Sequence, residues 1–476
     1  MIHWGVSAGT HDASLSVVKD GEILFASHSE RFSGIKNDKN LNPMLVDYAK
    51  TFFGEPDIVH WYENPYLKAT RKIFAGQSEV WLNPKKYLSN YDVDAKIKYA
   101  GHHQSHAAAG YYTSRFKESA ILVIDAIGEW TTTSIWKDMN RLWDIGYPMS
   151  LGLFYSAMTD RVGLKANEDE YILMGMAAYG DPDRFYDEIK NDLLWYRVNL
   201  HRGCRWWKPE LTEDDYFDVA AATQKIYEQV FEALLQQTQQ MTKSGNLVLM
   251  GGCALNCLAN RLIPKYFNEY WIMPNPGDAG SSLGAIAANT KQKLKWKTPY
   301  TGYDIGGKYP VKESLNELLE NGIVGVASGR AEFGPRALGN RSLFADPRGQ
   351  KMKDKVNSIK QRQEFRPFAP VIRQEDVSKW FAVPEGFTSP YMQEIVRCKF
   401  PTDFPAIVHK DGTSRVQTVT RAENNGLYSL LTEWTNNSGC PILLNTSLNI
   451  KGKPMVNDEK DARSFAERYG VKVCVS

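Results

Sequence analysis

His102 and His106 stand four residues apart in Gly101-His102-His103-Gln104-Ser105-His106, ahead of the Ala-rich stretch Ala107-Ala108-Ala109. A helix over this segment places both imidazoles on one face, within reach of one metal ion. Two carboxylates join them. Asp125 ends the apolar run Ala120 to Ile124, and Asp278 lies in the glycine-bounded turn Pro276-Gly277-Asp278-Ala279-Gly280. Two histidines and two aspartates are donors that suit divalent iron, manganese or zinc and leave positions open for a substrate oxygen. The competing readings are histidines that pack or cap a helix and aspartates that cap helix N-termini.

Three glycine-containing turns follow strand-like runs: Gly5 to Asp12, Asp125-Ala126-Ile127-Gly128-Glu129, and Gly251-Gly252-Cys253-Ala254-Leu255-Asn256. Small residues at a strand end let backbone N–H groups approach an anion closely. One such turn is weak evidence, since glycine commonly does no more than punctuate a loop. Three at successive strand ends point to one nucleotide held between two lobes, as in actin, hexokinase and the heat-shock chaperone ATPases. None matches the P-loop or the dinucleotide-binding fingerprint.

The last third carries arginines among glycines and prolines. They lie in Gly329 to Ser342 (with Arg336 and Arg341), Lys360 to Pro370 (with Arg366), and Asp411 to Thr418 (with Arg415), followed by Leu443 to Asn449 (with Asn445 and Ser447). Arginines fixed in such loops suggest forks for a small doubly charged anion, and a phosphate ester fits. Solvated surface arginines are the alternative.

These groups need rigid elements to hold them. Alternating positions over Ser14 to Val18 and Glu22 to Ala26, separated by Lys19-Asp20-Gly21, predict a hairpin. Ala120 to Ile124 and Leu247 to Met250 are expected as buried strands, with helices over Gln104 to Tyr112, Tyr216 to Lys243 and Ser281 to Lys291. The result is an α/β chain. Lys293 to Tyr309 is expected as a linker, and a second α/β unit begins with Val324 to Ala327. The 476 residues carry 57 Lys+Arg against 55 Asp+Glu, so bulk charge draws the chain to no polyanion. Six cysteines without a CxxC pair, and no apolar run of membrane-spanning length, lead to the expectation of a cytoplasmic protein with no membrane partner.

The blocks named above, together with Ser27 to Lys36, Leu151 to Ser156 and Met174 to Gly180, resemble the O-carbamoyltransferase family. That family includes the nodulation-factor enzyme and enzymes that carbamoylate antibiotic intermediates, and the resemblance runs almost end to end. It implies an N-terminal actin-like (ASKHA) two-lobed domain over 1–295, similar to the catalytic subunit of the tRNA threonylcarbamoyl machinery. A YrdC-like α/β domain over 296–476 follows. In such enzymes carbamoyl phosphate loses phosphate, the carbamate attacks the α-phosphate of ATP with release of pyrophosphate, and the carbamoyladenylate then meets an acceptor hydroxyl.

Carried onto this chain, the resemblance makes His102, His106, Asp125 and Asp278 the metal ligands, with Fe2+ as the ion and room for Mg2+ with the ATP. Arg336, Arg341, Arg366, Arg415, Asn445 and Ser447 become the carbamoyl phosphate pocket, and Lys36, Gly128, Glu129, Gly251, Gly252, Asn256 and Gly280 the nucleotide contacts. His11 and Asp12 are placed as catalytic groups beside His102 and His106, as base or nucleotide contact. Two positions depart from the family pattern: Ala126 stands where glycine is common, and Ile172 where a basic residue is frequent.

The acceptor is left open between a sugar or natural-product hydroxyl and a hydroxymethylated pyrimidine in DNA, and a homodimer is left open too. Arg202 to Lys208 and Lys291 to Lys297 interleave cations with tryptophans, which suits stacking on bases or sugars or, equally, aromatic packing beside solvated charges. An actin-like sugar kinase or ATPase would leave the C-terminal arginines without a purpose. A non-catalytic nucleic-acid-binding module would leave the His/Asp set without one.

Overall fold

The computed structural model describes residues 1–77, 83–194 and 199–476. The chain divides into two compact units, Met1–Phe25 with Lys39–Trp296, and Ala26–Asp38 with Lys297–Ser476.

The first unit holds two five-stranded sheets. One contains β1 (Ile2–Ser7), β2 (Ser14–Lys19), β3 (Glu22–His28), β4 (Ile58–Trp61) and β5 (Lys96–Tyr99), in the order β3-β2-β1-β4-β5. The other contains β6 (Ala120–Ile124), β7 (Thr131–Lys137), β8 (Asn140–Gly146), β9 (Asn246–Met250) and β10 (Glu269–Trp271), in the order β10-β9-β6-β7-β8. Counted from the first strand of each, both orders are 3-2-1-4-5. In both, the first strand runs antiparallel to the second and parallel to the fourth. This duplicated sheet is the architecture expected of an actin-like domain. The β2–β3 connection is the two-residue turn Asp20-Gly21, with φ of 52° and 77°, the conformation that twists a tight hairpin correctly.

The helices His102–Thr113 and Ser281–Thr290 pack on each other at a distance only glycine permits. A Cβ added to Gly284 would stand 1.9 Å from the Ser105 carbonyl oxygen, and one added to Gly5 of β1 would stand 1.8 Å from that of Ser282. The expected helix Tyr216 to Lys243 forms over Tyr216–Thr242. Among the described residues no helix is long and apolar enough to cross a membrane.

The second unit is built on a mixed six-stranded sheet. Its strands are β12 (Ile323–Ala327), β14 (Arg341–Ala345), β15 (Ala369–Arg373), β18 (Gln417–Val419), β19 (Ile442–Ser447) and β20 (Val473–Val475), in the order β18-β15-β19-β14-β12-β20. Val324, Phe344, Ile372, Leu443 and Trp434 are among the residues of its buried core. Two small sheets pair β11 (Tyr300–Asp304) with β13 (Arg330–Glu332) and β16 (Ile395–Arg397) with β17 (Thr413–Arg415).

Two features differ from the sequence expectation. The segment read as a linker contains β11, because its partner β13 lies far along the chain and local composition cannot reveal it. Residues 26–38 belong with the second unit rather than with 1–295. Long-range contacts hold them there: the buried Arg31 donates from Nη2 to the Gly334 carbonyl at 3.2 Å, His28 packs 5.3 Å from the Phe333 ring, and Thr301 donates to the Ala26 carbonyl at 3.2 Å.

A candidate metal centre and a candidate anion cradle

Asp125 emerges from the fully buried strand β6, and its Oδ1 accepts the Gly252 N–H at 3.1 Å. Gly251 has φ 90°, and a Cβ there would meet the Ile124 carbonyl oxygen at 2.1 Å, so the turn after β9 can approach β6 only as glycine. That approach leaves Asp125 Oδ2 facing the helix His102–Thr113, with His102 Nε2 at 3.1 Å and His106 Nε2 at 3.8 Å. Asp278 opens the short turn Asp278–Gly280 ahead of the helix Ser281–Thr290, and its Oδ1 lies 3.4 Å from His102 Nε2 and 3.3 Å from His106 Nε2. The two Nε2 atoms are 3.1 Å apart, and one ligand atom from each of the four residues lies within 4.8 Å of the others.

Donors held about 2.1 Å from one ion stand roughly 3.0–3.4 Å from each other. The four separations of 3.1–3.4 Å fall in that spacing, while His106 Nε2–Asp125 Oδ2 at 3.8 Å and the overall spread of 4.8 Å are wider, so the four side chains can close on a divalent cation with a small adjustment of Asp125. Burial opposes protonation of His102, but Asp278, Asp125 and Glu63 outweigh it and the imidazole's pKa is raised. His106 is raised in the same way by Asp125 and Asp278. Burial works against both carboxylates, yet the histidines hold Asp125 and Asp278 well below the usual range. Three buried groups and the half-buried Asp278 are thus locked together by opposite charge, the electrostatic arrangement a cation site requires. His103 takes no part: its Nδ1 meets Ser134 Oγ at 2.8 Å, and burial with the neighbouring imidazoles pushes it down.

The remaining residues expected around the nucleotide occupy several environments. Gly128 lies against His102, where a Cβ would come within 2.9 Å of the ring. Glu129 Oε1 accepts from the His102 N–H at 3.1 Å and the Asn64 N–H at 2.5 Å, and burial raises its pKa, so it braces the centre from the side. Asn256 exchanges amide hydrogen bonds with Gln224 at 3.1 and 3.2 Å and caps the turn Cys257–Asn260. Gly280 fits against the Asn275 carbonyl, 1.9 Å from a would-be Cβ. In the first turn, His11 Nε2 meets the Asn167 carbonyl at 3.1 Å, Asp12 adopts φ 55°, and the Thr10 and Tyr62 hydroxyls are hydrogen-bonded. Lys36 lies in the second unit, apart in sequence and in unit from the three glycine turns. Glu63, Tyr62 and Ser281 were not singled out in the sequence. Tyr62 places its ring 5.4 Å from that of His102, and Ser281 Oγ meets His106 Nδ1 at 3.1 Å. Their one sequence signal is position, just beyond strand β4 or the Asp278 turn.

In the second unit, β14 and β19 pair so that Ser342 faces Ser447 and Phe344 faces Asn445, which puts Ser342, Ser447 and Asn445 on one side of the sheet. Asn445 donates to the Ala337 carbonyl at 3.1 Å and to Gln417 Oε1 at 2.7 Å. Its Oδ1, Ser342 Oγ and Arg415 Nε are buried and find no hydrogen-bond partner among the described residues. Lys360 ends the helix Gln350–Lys360 and donates to the Ser447 carbonyl at 2.6 Å and its hydroxyl at 3.2 Å. Burial, then Arg362 and Arg366, push its ammonium down to about 7. Lys360 thus stands beside Ser447 as an amine that titrates near neutrality, a group the sequence reading left out of the anion-binding set.

Arg341 behaves differently from the fork expected of it. It is fully buried, and its guanidinium donates to the carbonyls of Ser328, Asn340, Tyr303, Gly329 and Asn457 at 2.8–3.1 Å. All its N–H groups face backbone, so Arg341 shapes the cradle from beneath. Glu332 complements it by accepting the Leu338, Asn340 and Arg341 N–H groups at 2.8, 2.8 and 3.2 Å. Arg336 and Arg366 are half-buried in the loops that flank β13 and follow the Lys360 helix.

The two basic-aromatic stretches are largely engaged. Arg205 pairs with Asp160 at 2.6 Å, Lys208 with Glu188 at 2.8 Å and Lys295 with Glu22 at 2.8 Å, while Trp207 is buried and Trp206 is exposed. Lys293 donates to the Tyr111 and Phe116 carbonyls at 2.6 and 2.7 Å.

Comparison with known proteins places these features in a family. The model described as carbamoyltransferase N-terminus matches residues 3–287, and that described as carbamoyltransferase C-terminus matches 315–475. An uncharacterized protein of Synechocystis is 33% identical over 96% of this chain and 93% of its own length. The nodulation protein NolNO of Sinorhizobium fredii is 29% identical over 95% of this chain and 76% of its own. The 3'-hydroxymethylcephem-O-carbamoyltransferase of Amycolatopsis lactamdurans is 27% identical over 97% and 95%.

Proposed function

The chain belongs to the carbamoyltransferase family, and from that premise we propose that it is an ATP-dependent O-carbamoyltransferase acting on the hydroxyl of a small molecule. The observation that carries the proposal is the convergence of His102, His106, Asp125 and Asp278 on one point. In the second unit, Lys360, Arg336, Arg366, Arg415, Asn445 and Ser447 hold the carbamoyl phosphate dianion, while Arg341 and Glu332 keep the loop beneath it in shape. Water cleaves this mixed anhydride to inorganic phosphate and carbamate. A carbamate oxygen then attacks the α-phosphorus of ATP and expels pyrophosphate, leaving carbamoyladenylate, a mixed anhydride with AMP as a good leaving group.

In the first unit, the turns at Gly128 and Gly251-Gly252 let the nucleotide approach the backbone closely, while the N–H groups of these three glycines hold the turns in shape by donating to Thr131, Pro276 and Asp125. The acceptor oxygen attacks the carbamoyl carbon, AMP departs, and His11 or Asp12 takes the acceptor proton. His102, His106, Asp125 and Asp278 would hold a divalent ion, Fe2+ in this reading, which when bound would supply Lewis acidity. Sequestering the anhydride from water limits its hydrolysis. The engaged cations of the two basic-aromatic stretches favour a small acceptor over DNA, and one relative is named for a hydroxymethyl acceptor.

The test is to incubate the protein with ATP, Mg2+, Fe2+ and carbamoyl phosphate and to follow pyrophosphate. Release that requires carbamoyl phosphate and disappears in Arg336→Ala supports the activation step, and it also excludes a simple kinase or ATPase. ATP turnover independent of carbamoyl phosphate would overturn the reading. Hydroxymethylcytosine DNA and small hydroxyl compounds offered in parallel then sort the acceptor classes.

A further inference from the structure

The side of the metal centre opposite its aspartates carries a charge pair that the proposed chemistry does not use. Glu63 lies just beyond β4 and Lys68 in the helix Pro65–Phe74, and both are almost wholly buried. Glu63 Oε1 is hydrogen-bonded to Lys68 Nζ. Its other oxygen, Oε2, stands 3.7 Å from His102 Nδ1. That nitrogen is buried and has no hydrogen-bond partner among the described residues, whereas its counterpart on His106 meets Ser281 Oγ at 3.1 Å.

A buried ion pair is a poor source of stability, because desolvation cancels most of the attraction. Its presence here calls for another reason, and the geometry supplies one. We infer that Glu63 is a positioning residue for His102: its carboxylate faces Nδ1 at 3.7 Å, favours the hydrogen on that nitrogen by charge, and so turns the Nε2 lone pair of the imidazole toward the metal position. The inference rests on the metal-centre reading above. An imidazole that binds a cation through Nε2 carries its hydrogen on Nδ1, and a carboxylate at that hydrogen fixes the ring's orientation and raises its basicity.

Lys68 explains how a third carboxylate is tolerated. Asp125 and Asp278 already balance a divalent ion, so an unpaired Glu63 would leave the buried centre with excess negative charge. Paired with Lys68, it contributes direction without net charge. Arg71, one turn further along the same helix and also buried, lies within the field of Glu63. Asn64 caps that helix by accepting the Tyr66 and Leu67 N–H groups at 3.0 and 3.3 Å, and its own N–H is held by Glu129 at 2.5 Å. Glu63 is thereby fixed on both sides.

The experiment uses the full chain, stripped with a chelator and titrated with Co2+, with affinity and the visible d–d spectrum as readouts. Glu63→Ala is expected to weaken Co2+ binding about 10–100-fold and to shift the spectrum, as loss of an outer partner of a metal-bound histidine does. The double variant Glu63→Gln with Lys68→Met removes the pair without stranding a charge. It is expected to keep the wild-type thermal midpoint and still bind Co2+ more weakly, a split that a merely structural role would not produce. Glu63→Asp is expected to recover part of the affinity. Wild-type affinity and spectrum in both Glu63→Ala and the double variant would overturn the inference. A wild-type chain that takes up no Co2+ would overturn the metal centre itself, and the inference with it.

Discussion

His102 and His106 bring their Nε2 atoms to 3.1 Å from each other across one helical turn. Two imidazoles so close repel if both are charged, and neither has an alternative partner on its own helix. The arrangement is stable because Asp125 and Asp278, from two other elements, face the same point.

Removing one of the two rings should therefore abolish tight metal binding. His106→Ala is expected to lower Co2+ or Fe2+ affinity by more than the ~10–100-fold that outer partners cost. Equilibrium dialysis followed by metal analysis measures this directly. Pyrophosphate release, assigned to a different group of residues, is expected to respond less than carbamoyl transfer.

The cradle should show a proton linkage. Lys360 titrates at about 7 in the folded chain against 10.5 for an ordinary lysine, from burial first and Arg362 and Arg366 second. Between those values the unfolded chain binds more protons, so stability rises with pH there. The destabilising effect of Lys360 is full below about 7 and vanishes above 10.5. A bound dianion draws the proton back, so carbamoyl phosphate binding at pH 8 should take up close to about one proton. Calorimetry in two buffers of different ionisation enthalpy reads that uptake. Lys360→Met should remove it, together with much of the affinity.

Glu332 anchors the N–H groups of Leu338 and Asn340 in the loop before β14 and that of Arg341 at the start of the strand. Glu332→Ala leaves them buried without an acceptor, which should lower stability by on the order of 3 kcal/mol, whereas Glu332→Gln keeps an acceptor and should cost about 1 kcal/mol. Urea unfolding gives both values. Loss of carbamoyl phosphate binding should follow the same order.

Gly284→Ala forces a methyl group into the Ser105 carbonyl oxygen, at 1.9 Å from the ideal Cβ position. The helices His102–Thr113 and Ser281–Thr290 must then separate, at about 3 kcal/mol or more. Ser281 and Asp278 would move with the second helix, so Co2+ affinity is expected to fall along with the thermal midpoint. A variant that loses neither would show that the two helices can be spaced apart without disturbing the centre.

Much of the local structure was legible. The Asp20-Gly21 hairpin, the strands β6 and β9 and the long Tyr216–Thr242 helix follow from turn chemistry and periodicity within a few residues. The histidine pair was legible for the same reason, since four residues make one helical turn. What was missed lies elsewhere: β11, whose partner is β13; the segment 26–38, which packs with residues beyond 297; and Lys360, which becomes notable only when β19 is laid beside it.

The sequence by itself therefore determined which residue types were available and which short elements carry them: an i, i+4 histidine pair, aspartates after apolar runs, glycine turns, and arginines among prolines and glycines. The tertiary structure decided their roles. It sent Arg341 into the core to bind five carbonyls, brought Asp278 to His106, and set a paired Glu63 behind His102. Helices and turns arise from backbone preferences that act between near neighbours, whereas burial and charge pairing depend on which distant segments the packed sheets bring together.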